Sequence, residues 1–521
     1  MINLFAKRLL LSVQSPHELA KHLMSSSTTF SQFSPEISTI LKSTAVECPA
    51  EDQNSVPQLT PISAMSSLIT SEEIRERHQN LMKLIDKNSY VGHKPSIILV
   101  SASSRPHLAD TRIPCTHFKQ NSDFIYLTGL TTSQSADCVL ALIGGHGEPL
   151  ESIMFAPFGE QMKQLWDGSD LREQSPWINS ICNDFRDISK LKDLMSTHSP
   201  SRQLFVSKSG FNQTNGNTNS SESCDKLNPI LRNLLNLNSK TAILKMSPLL
   251  EQLRLSKSKA ECNAMRRVCS IGSLAMANTM GWTNSLSQNT IVNEAHIAAK
   301  FEFECRFNGA RNISFPIVCG SGQRSTIIHY GNNNQFCSPN DWVMIDGGCE
   351  DVDGYNSDIT RSWPINGDFG VSRLRRDLHE ALCEVQSELI SAVSNDSMMT
   401  LDLLFKLMCT LLSKVLLDFN AFNITVSPQE AISLAYRLCP HHVSHYLGLD
   451  VHDCPSIPRN FTLKPGYCFT VEPGLYFHKS HAMIKPEFQG IGMRVEDDVL
   501  MNHSGRVEIL TTGCPHKPNL I

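Results

Sequence analysis

Asp346-Gly-Gly-Cys-Glu-Asp-Val-Asp-Gly-Tyr-Asn-Ser-Asp358 carries an aspartate at each end. The apolar run Trp342 to Ile345 leads into it and Ile359-Thr-Arg-Ser-Trp363 leads out, so two short strands are expected, with Asp353-Gly354 suited to a hairpin connection. A hairpin closing around Val352 sets Asp346 opposite Asp358, side chains on one face and roughly 5 Å apart at Cβ. Taken alone, such a pair more often begins and ends turns. Asp351-Val-Asp353-Gly resembles the opening of an EF-hand, but that loop needs Gly at its sixth position and a helix on each side, and neither is present.

Further along, Cys439-Pro-His-His-Val-Ser-His-Tyr-Leu-Gly-Leu-Asp-Val-His-Asp453 brings His441, His445 and His452 close together. One histidine is ordinarily a core or surface residue; three at these intervals, with little other charge, point to a site. His441 and His445 are spaced as in a zinc-protease helix, yet His442 stands where the general-base Glu belongs, which excludes that class. Phe469-Thr-Val-Glu472-Pro-Gly-Leu-Tyr476 and Gly492-Met-Arg494-Val-Glu496-Asp-Asp498 add two carboxylates in strand-like settings. Glu472 ends an alternating run stopped by Pro-Gly, and Arg494 and Glu496, two apart, share a strand face. The candidate ligands are therefore Asp346, Asp358, His445, Glu472 and Glu496. Four carboxylates in one cavity raise each other's pKa unless cations neutralise them, and two divalent ions match four negative charges. Oxygen-rich ligation with one imidazole favours Mn, Fe or Co over a Cys/His zinc site.

In order, Asp-Gly-Gly-Cys-Glu, Ser-Asp-Ile-Thr-Arg, His-Tyr-Leu-Gly-Leu-Asp-Val-His-Asp, Val-Glu-Pro-Gly-Leu-Tyr and Arg-Val-Glu-Asp-Asp resemble the dimetal "pita-bread" aminopeptidases. Among these the chain is most similar to the Xaa-Pro aminopeptidases (aminopeptidase P, family M24), above all the mitochondrial-type Xaa-Pro aminopeptidase 3 group. The likeness runs from about Leu59 to Pro515. It implies an α/β (α+β) fold: presequence and linker over 1–60, an aminopeptidase P-type α/β domain over 61–245, and a pita-bread catalytic domain over 246–521. Helices would lie outside, with curved antiparallel strands inside gathering ligands from five strands.

The activity implied is release of the first residue from peptides with proline second, by a hydroxide bridging two divalent ions, manganese expected. By the resemblance, Asp358 and Glu496 bridge both ions, Asp346 binds one, and His445 with Glu472 binds the other; Glu472 also shuttles the proton. His329 and His452 would flank the scissile bond and stabilise the oxyanion, and with His441 line a proline pocket. Tyr476 is a further expected substrate contact, and Arg494 would hold ligand carboxylates in place. His442, His478 and His481 are expected to be structural or surface residues. Relatives usually have one residue fewer between the two aspartates. The turn or a bulge at Gly354 would absorb the extra one; otherwise a carboxylate would turn to the opposite face.

Prolidase action on Xaa-Pro dipeptides is the nearest alternative, and Asn121-Ser-Asp-Phe with Cys439-Pro-His-His favours the aminopeptidase. Methionine aminopeptidases lack so large a first domain, and the creatine-hydrolysing relatives lack the metal ligands. A catalytically silent scaffold would be marked by loss of a ligand, and none is lost.

The 521 residues suffice for two to four domains, and a net charge of -5 argues against a nucleic-acid binder. Seventeen cysteines, odd in number and without a repeating spacing, indicate neither a disulfide framework nor a zinc ribbon. No apolar run approaches the roughly 18 residues of a membrane span. Near the start Lys7, Arg8 and Lys21 stand among Leu, Phe, Ser and Thr with one acid, Glu18, as in a mitochondrial presequence; a tail without an address, and a cytoplasmic protein, is the alternative. Residues 25–60 and 211–223 read as linker and exposed loop.

A helix capped by Ser71 is expected over 72–85, then strands at 96–101, 137–143, 152–157 and 203–207. Gln120 to Gly129 is similar to the family's N-terminal domain and by itself reads as a polar turn entering an apolar strand. Leu165-Trp166-Asp167-Gly168 resembles a segment that in relatives reaches a neighbouring subunit, so a homodimer is expected. From Ser247 a long helical pattern runs to Met280; helices follow at 293–306, 374–393 and 400–419, and strands at 316–320 and 326–330.

Overall fold

Residues 66–87, 94–109, 111, 113–114, 117–159, 165–166, 168, 170–198, 201–207, 231, 243–286 and 290–517 are described by the computed structural model. The presequence and linker, the 211–223 loop and Asp167 lie outside these residues. Among the described residues no helix is long and apolar enough to cross a membrane, and the described cysteines are free thiols, nearly all buried.

The first part of the chain builds a six-stranded mixed sheet. Across the sheet the order is Asp184–Asp187, Glu148–Ala156, Val139–Gly145, Ser96–Ser101, Gln203–Val206 and Ile243–Lys245. Both faces are covered, which is why the central strands read as continuous apolar runs. Ile97, Leu99, Val139 and Phe155 pack with Leu191 and Leu194 of the Leu191–His198 helix. Ile98, Val100, Leu140 and Met154 face the Ser71–Lys87 helix in a core that continues through the rest of the molecule. The edge strands at 184–187 and 243–245 were not legible, because three or four residues cannot display an alternation.

Two local expectations are corrected. Thr70 Oγ1 accepts the Glu73 N–H at 3.3 Å, so Thr70 caps the first helix and Ser71 is already helical. The Gln120 to Gly129 stretch is a helix, Ser122–Thr128, opened by Asn121, which accepts the Phe124 N–H, and closed by Gly129 at φ 68°. All seven of its residues are buried, so it lacks the amphipathic stripe that would have marked it.

In the second part, the pattern from Ser247 is split into Ser247–Leu255 and Lys259–Ser285 by a capping box at Ser258 and Glu261. Helices Glu294–Phe307, Arg373–Asn395 and Leu401–Asp418 follow expectation, and Pro428–Leu438 is additional. The expected strand at 326–330 is absent: Gly322–Thr326 forms a 3-10 turn and Ile327 to Tyr330 an irregular run. Beside this run the Glu294 carboxylate accepts from Ser321 N, Gln335 N, Arg324 Nε and Tyr330 Oη. Antiparallel groups Ile359–Pro364/Trp342–Gly347/Val318–Ser321, Cys468–Val471/Asp497–Met501/Val507–Ile509 and Gly474–Phe477/Ile491–Arg494 line the interior.

The aspartate hairpin forms, in a shifted register. Asp346 pairs with Thr360 and Gly347 with Ile359. At the tip Asp351 N donates to Tyr355 O and Gly354 N to Asp351 O, so the turn centres on Asp353 rather than Val352. Gly354 takes φ 85°, the left-handed residue that such a three-residue connection requires. Asp358 is therefore the diagonal, not the direct, neighbour of Asp346. A shift of two positions preserves the side-chain face. Gly348 is obligatory here: a Cβ would fall 1.8 Å from Ser357 O.

Candidate metal centre

Of the five candidate ligands only Asp346 lies inside a strand. Asp358 precedes Ile359–Pro364, Glu472 follows Cys468–Val471, Glu496 separates Ile491–Arg494 from Asp497–Met501, and His445 sits in an irregular segment. The expectation of five ligand-bearing strands is thus corrected to strand ends and one loop, where departure from the pleat lets side chains converge. Backbone hydrogen bonds pin each: Asp358 N to Asp498 Oδ2 at 3.0 Å, Glu472 N to Val443 O at 2.9 Å, Glu496 N to Thr360 O at 3.1 Å and Thr470 N to His445 O at 3.0 Å.

Ligand atoms of Asp358, His445 and Glu496 all lie within 4.8 Å of one another. His445 Nε2 is 3.4 Å from Asp358 Oδ2 and 3.7 Å from Glu472 Oε1. Its Nδ1 lies 3.2 Å from Tyr446 O, a contact that makes Nδ1 the donor and leaves Nε2 as the free lone pair. Arg494 pairs with Asp346, and its Nε donates to Thr360 Oγ1 at 2.9 Å. Thr360 Oγ1 in turn donates to Glu496 Oε2 at 2.6 Å and sits 3.2 Å from Asp346 Oδ1.

All five face one cavity of about 620 Å³, together with His329, His441, His452 and Arg494. His442, expected to be structural, also lines it while stacking on Phe405. Tyr476 stands behind the wall: its hydroxyl accepts from Arg494 Nη1 at 2.8 Å and meets His441 Nε2 at 2.9 Å. With His441 Nδ1 at 3.0 Å from His442 O, both nitrogens of His441 are engaged, and the ring offers the cavity carbon surface. His478 and His481 are not among the lining residues.

Burial, then Glu496 and Asp346, push the Asp358 carboxyl far above its ordinary range; burial and Glu496 do the same to Glu472, and Glu496 rises to about 7. Asp358 Oδ1 is buried without a hydrogen-bond partner among the described residues. Burial, then His452, hold the His445 imidazole down to about 3, so it is neutral. A partnerless buried carboxylate oxygen, acids that gain from a cation and a neutral imidazole with Nε2 free fit a divalent metal ion.

Thr360, Thr470 and Asp498 were missed in the sequence. Thr360 and Asp498 had a signal, each two residues beyond a candidate ligand.

Residues 263–503 match the model of metallopeptidase family M24, and residues 74–205 that of the aminopeptidase P N-terminal domain. A Rattus norvegicus protein named Xaa-Pro aminopeptidase 3 is 33% identical over 87% of this chain and 85% of its own length. The chain belongs to metallopeptidase family M24. This M24 protein is accordingly a metallopeptidase, a hydrolase whose family implies divalent metal ions. An Arabidopsis thaliana relative of the M24 chain, intermediate cleaving peptidase 55, mitochondrial, is 30% identical over 88% of this chain and 84% of its own. The low-pH form of Escherichia coli aminopeptidase P superposes with a TM-score of 0.71 at 24% identity, covering 87% of this chain and 97% of that one, and has the same fold.

Proposed function

We propose that this M24 protein is a metalloaminopeptidase that releases the N-terminal residue from peptides whose second residue is proline. The observation that carries the reading is the single cavity in which Asp346, Asp358, His445, Glu472 and Glu496 meet His329, His441 and His452. The name of the rat relative supports the substrate class.

Asp346, Asp358, His445, Glu472 and Glu496 would hold two divalent ions, manganese foremost. Bound there, the ions supply Lewis-acid polarisation of the scissile carbonyl and activate water as the nucleophile at neutral pH. Glu472 takes the proton of the attacking water and returns it to the departing proline nitrogen as the C–N bond breaks. His329 and His452 are exposed, and no ring nitrogen of either has a hydrogen-bond partner among the described residues, so both are free to donate to the developing oxyanion. The carbon surface of His441 suits a pyrrolidine ring, whose nitrogen offers no N–H to read. Arg494 keeps Asp346 oriented.

The reading includes an α/β domain to about residue 245 and a catalytic domain beyond it, a homodimer, and a mitochondrial location supported by the Lys7, Arg8 and Lys21 pattern and by the plant relative's name.

Metal-stripped protein re-supplied with Mn should release the first residue from an Xaa-Pro-Xaa tripeptide and leave an Xaa-Ala control intact. Faster turnover of the Xaa-Pro dipeptide would make it a prolidase. No turnover with Mn, Co or Zn, despite metal uptake, would overturn the enzymatic reading.

A further inference from the structure

The motif Asn121-Ser-Asp-Phe has no role in the chemistry above, yet its Asp123 is buried and faces Arg254 at 2.8 Å. Arg254, at the end of Ser247–Leu255, is itself buried and binds two more carboxylates, Asp450 at 2.8 Å and Asp453. Asp453 Oδ2 also accepts from the buried Lys257 at 3.1 Å. Ser122 Oγ adds a hydrogen bond to Asp450 Oδ1 at 2.6 Å. One guanidinium thus joins the first part of the chain to both ends of the Asp450 to Asp453 turn, and Gly448 lies so close that a Cβ would come 2.4 Å from Asp453 Oδ2.

What this turn does next is specific. The Asp453 N–H donates to Tyr446 O at 2.9 Å, and that same carbonyl oxygen lies 3.2 Å from His445 Nδ1. The direction of the carbonyl sets the plane of the imidazole and therefore the aim of Nε2. A buried charge cluster is a poor way to gain stability alone, since apolar residues of the same volume serve as well; fixing an orientation is a use that apolar packing does not supply.

We propose that Asp123 and Arg254 are positioning residues of the metal centre, holding His445 through Asp453 and the Tyr446 carbonyl. The inference rests on the reading of His445 as a ligand.

Its test is Co(II) titration of the metal-free full chain, followed by calorimetry and by the visible spectrum of the bound ion, in Arg254→Met, Arg254→Lys, Asp123→Asn and His445→Ala. Arg266→Met, which removes a part-exposed ion pair with Glu508, is the control. Loss of a partner that orients a metal-binding imidazole weakens metal binding by about 10- to 100-fold. Arg254→Met should fall in that range with an altered spectrum, Arg254→Lys should recover part of both, Asp123→Asn should weaken binding less, and Arg266→Met should match the parent. Parent-like affinity and spectrum in folded Arg254→Met would overturn the proposal. If Arg254→Met does not fold, Asp123→Asn decides by the same criterion, and failure of both to fold would make the network a stability element only. Parent-like binding in His445→Ala would instead overturn the ligand reading, so the two failures are distinguishable.

Discussion

Tyr476 joins Arg494 and His441 through a single oxygen, and Arg494 in turn holds Asp346. Tyr476→Phe keeps the ring and removes that junction; kcat/KM on an Xaa-Pro-Xaa peptide should fall about tenfold or more, because a buried guanidinium loses a charge-assisted partner. Glu472→Ala should abolish turnover while circular dichroism stays unchanged; surviving activity would displace the proposed centre. Away from the site, His78 and His379 are buried and neutral, held down to about 4 and about 3 by desolvation. The unfolded chain binds these protons first as the pH drops below about 6.5, so their contribution to stability is complete above that pH and is lost progressively toward pH 3 to 4. His379, packed beside Trp342 and Phe369, is the cleaner probe. In His379→Phe the melting temperature should decline less between pH 7 and 5 than in the parent, where each such histidine costs about 1.4 kcal/mol per pH unit.

At the scale of elements, the hairpin between Asp346 and Asp358 tests the local argument. Gly348→Ala would set a Cβ against Ser357 O, a backbone atom that cannot yield without opening the hairpin. Denaturant titration should register a loss above about 4 kcal/mol, with metal binding lost as well. Gly354→Ala is milder: left-handed backbone and a 2.9 Å approach to Ile125 Cδ1 should cost about 1–2 kcal/mol. The face shared by the two aspartates was legible, because side-chain parity depends only on whether the loop is odd or even. Its register was not, since Val352 and Asp353 centres leave the same parity and only the hydrogen bonds of Asp351 choose between them. Likewise the five carboxylate and histidine residues that share the cavity could be picked out by residue type and order, whereas the place of Tyr476 behind the wall and the Asp123–Arg254 contact could not. Those contacts join residues far apart in sequence, where no local period carries information.

Among the described residues, an apolar cluster runs from Ile74 and Leu81 through Phe301 and Trp363 to Leu500 and so links the two parts of the chain. Thermal unfolding of the metal-free protein should therefore be a single calorimetric transition rather than two. Divalent ion at a hundredfold excess over its dissociation constant should add about 2.7 kcal/mol, raising the melting temperature, and a chelator should remove the increment. An unchanged melting temperature across a Mn titration would argue that no ion binds the native state.

The three-residue turn at Val352 to Gly354 has a bearing on how such chains are recognised. Because the tip lies away from the chemistry and one glycine there accepts a left-handed backbone, the distance along the chain between the two aspartates is tunable in steps of two residues, which keep both side chains on one face. A search pattern for chains of this kind need not hold that gap at one value. One that lets the gap vary, and asks instead for paired glycines after the first aspartate and a threonine two places beyond the second, would retain it.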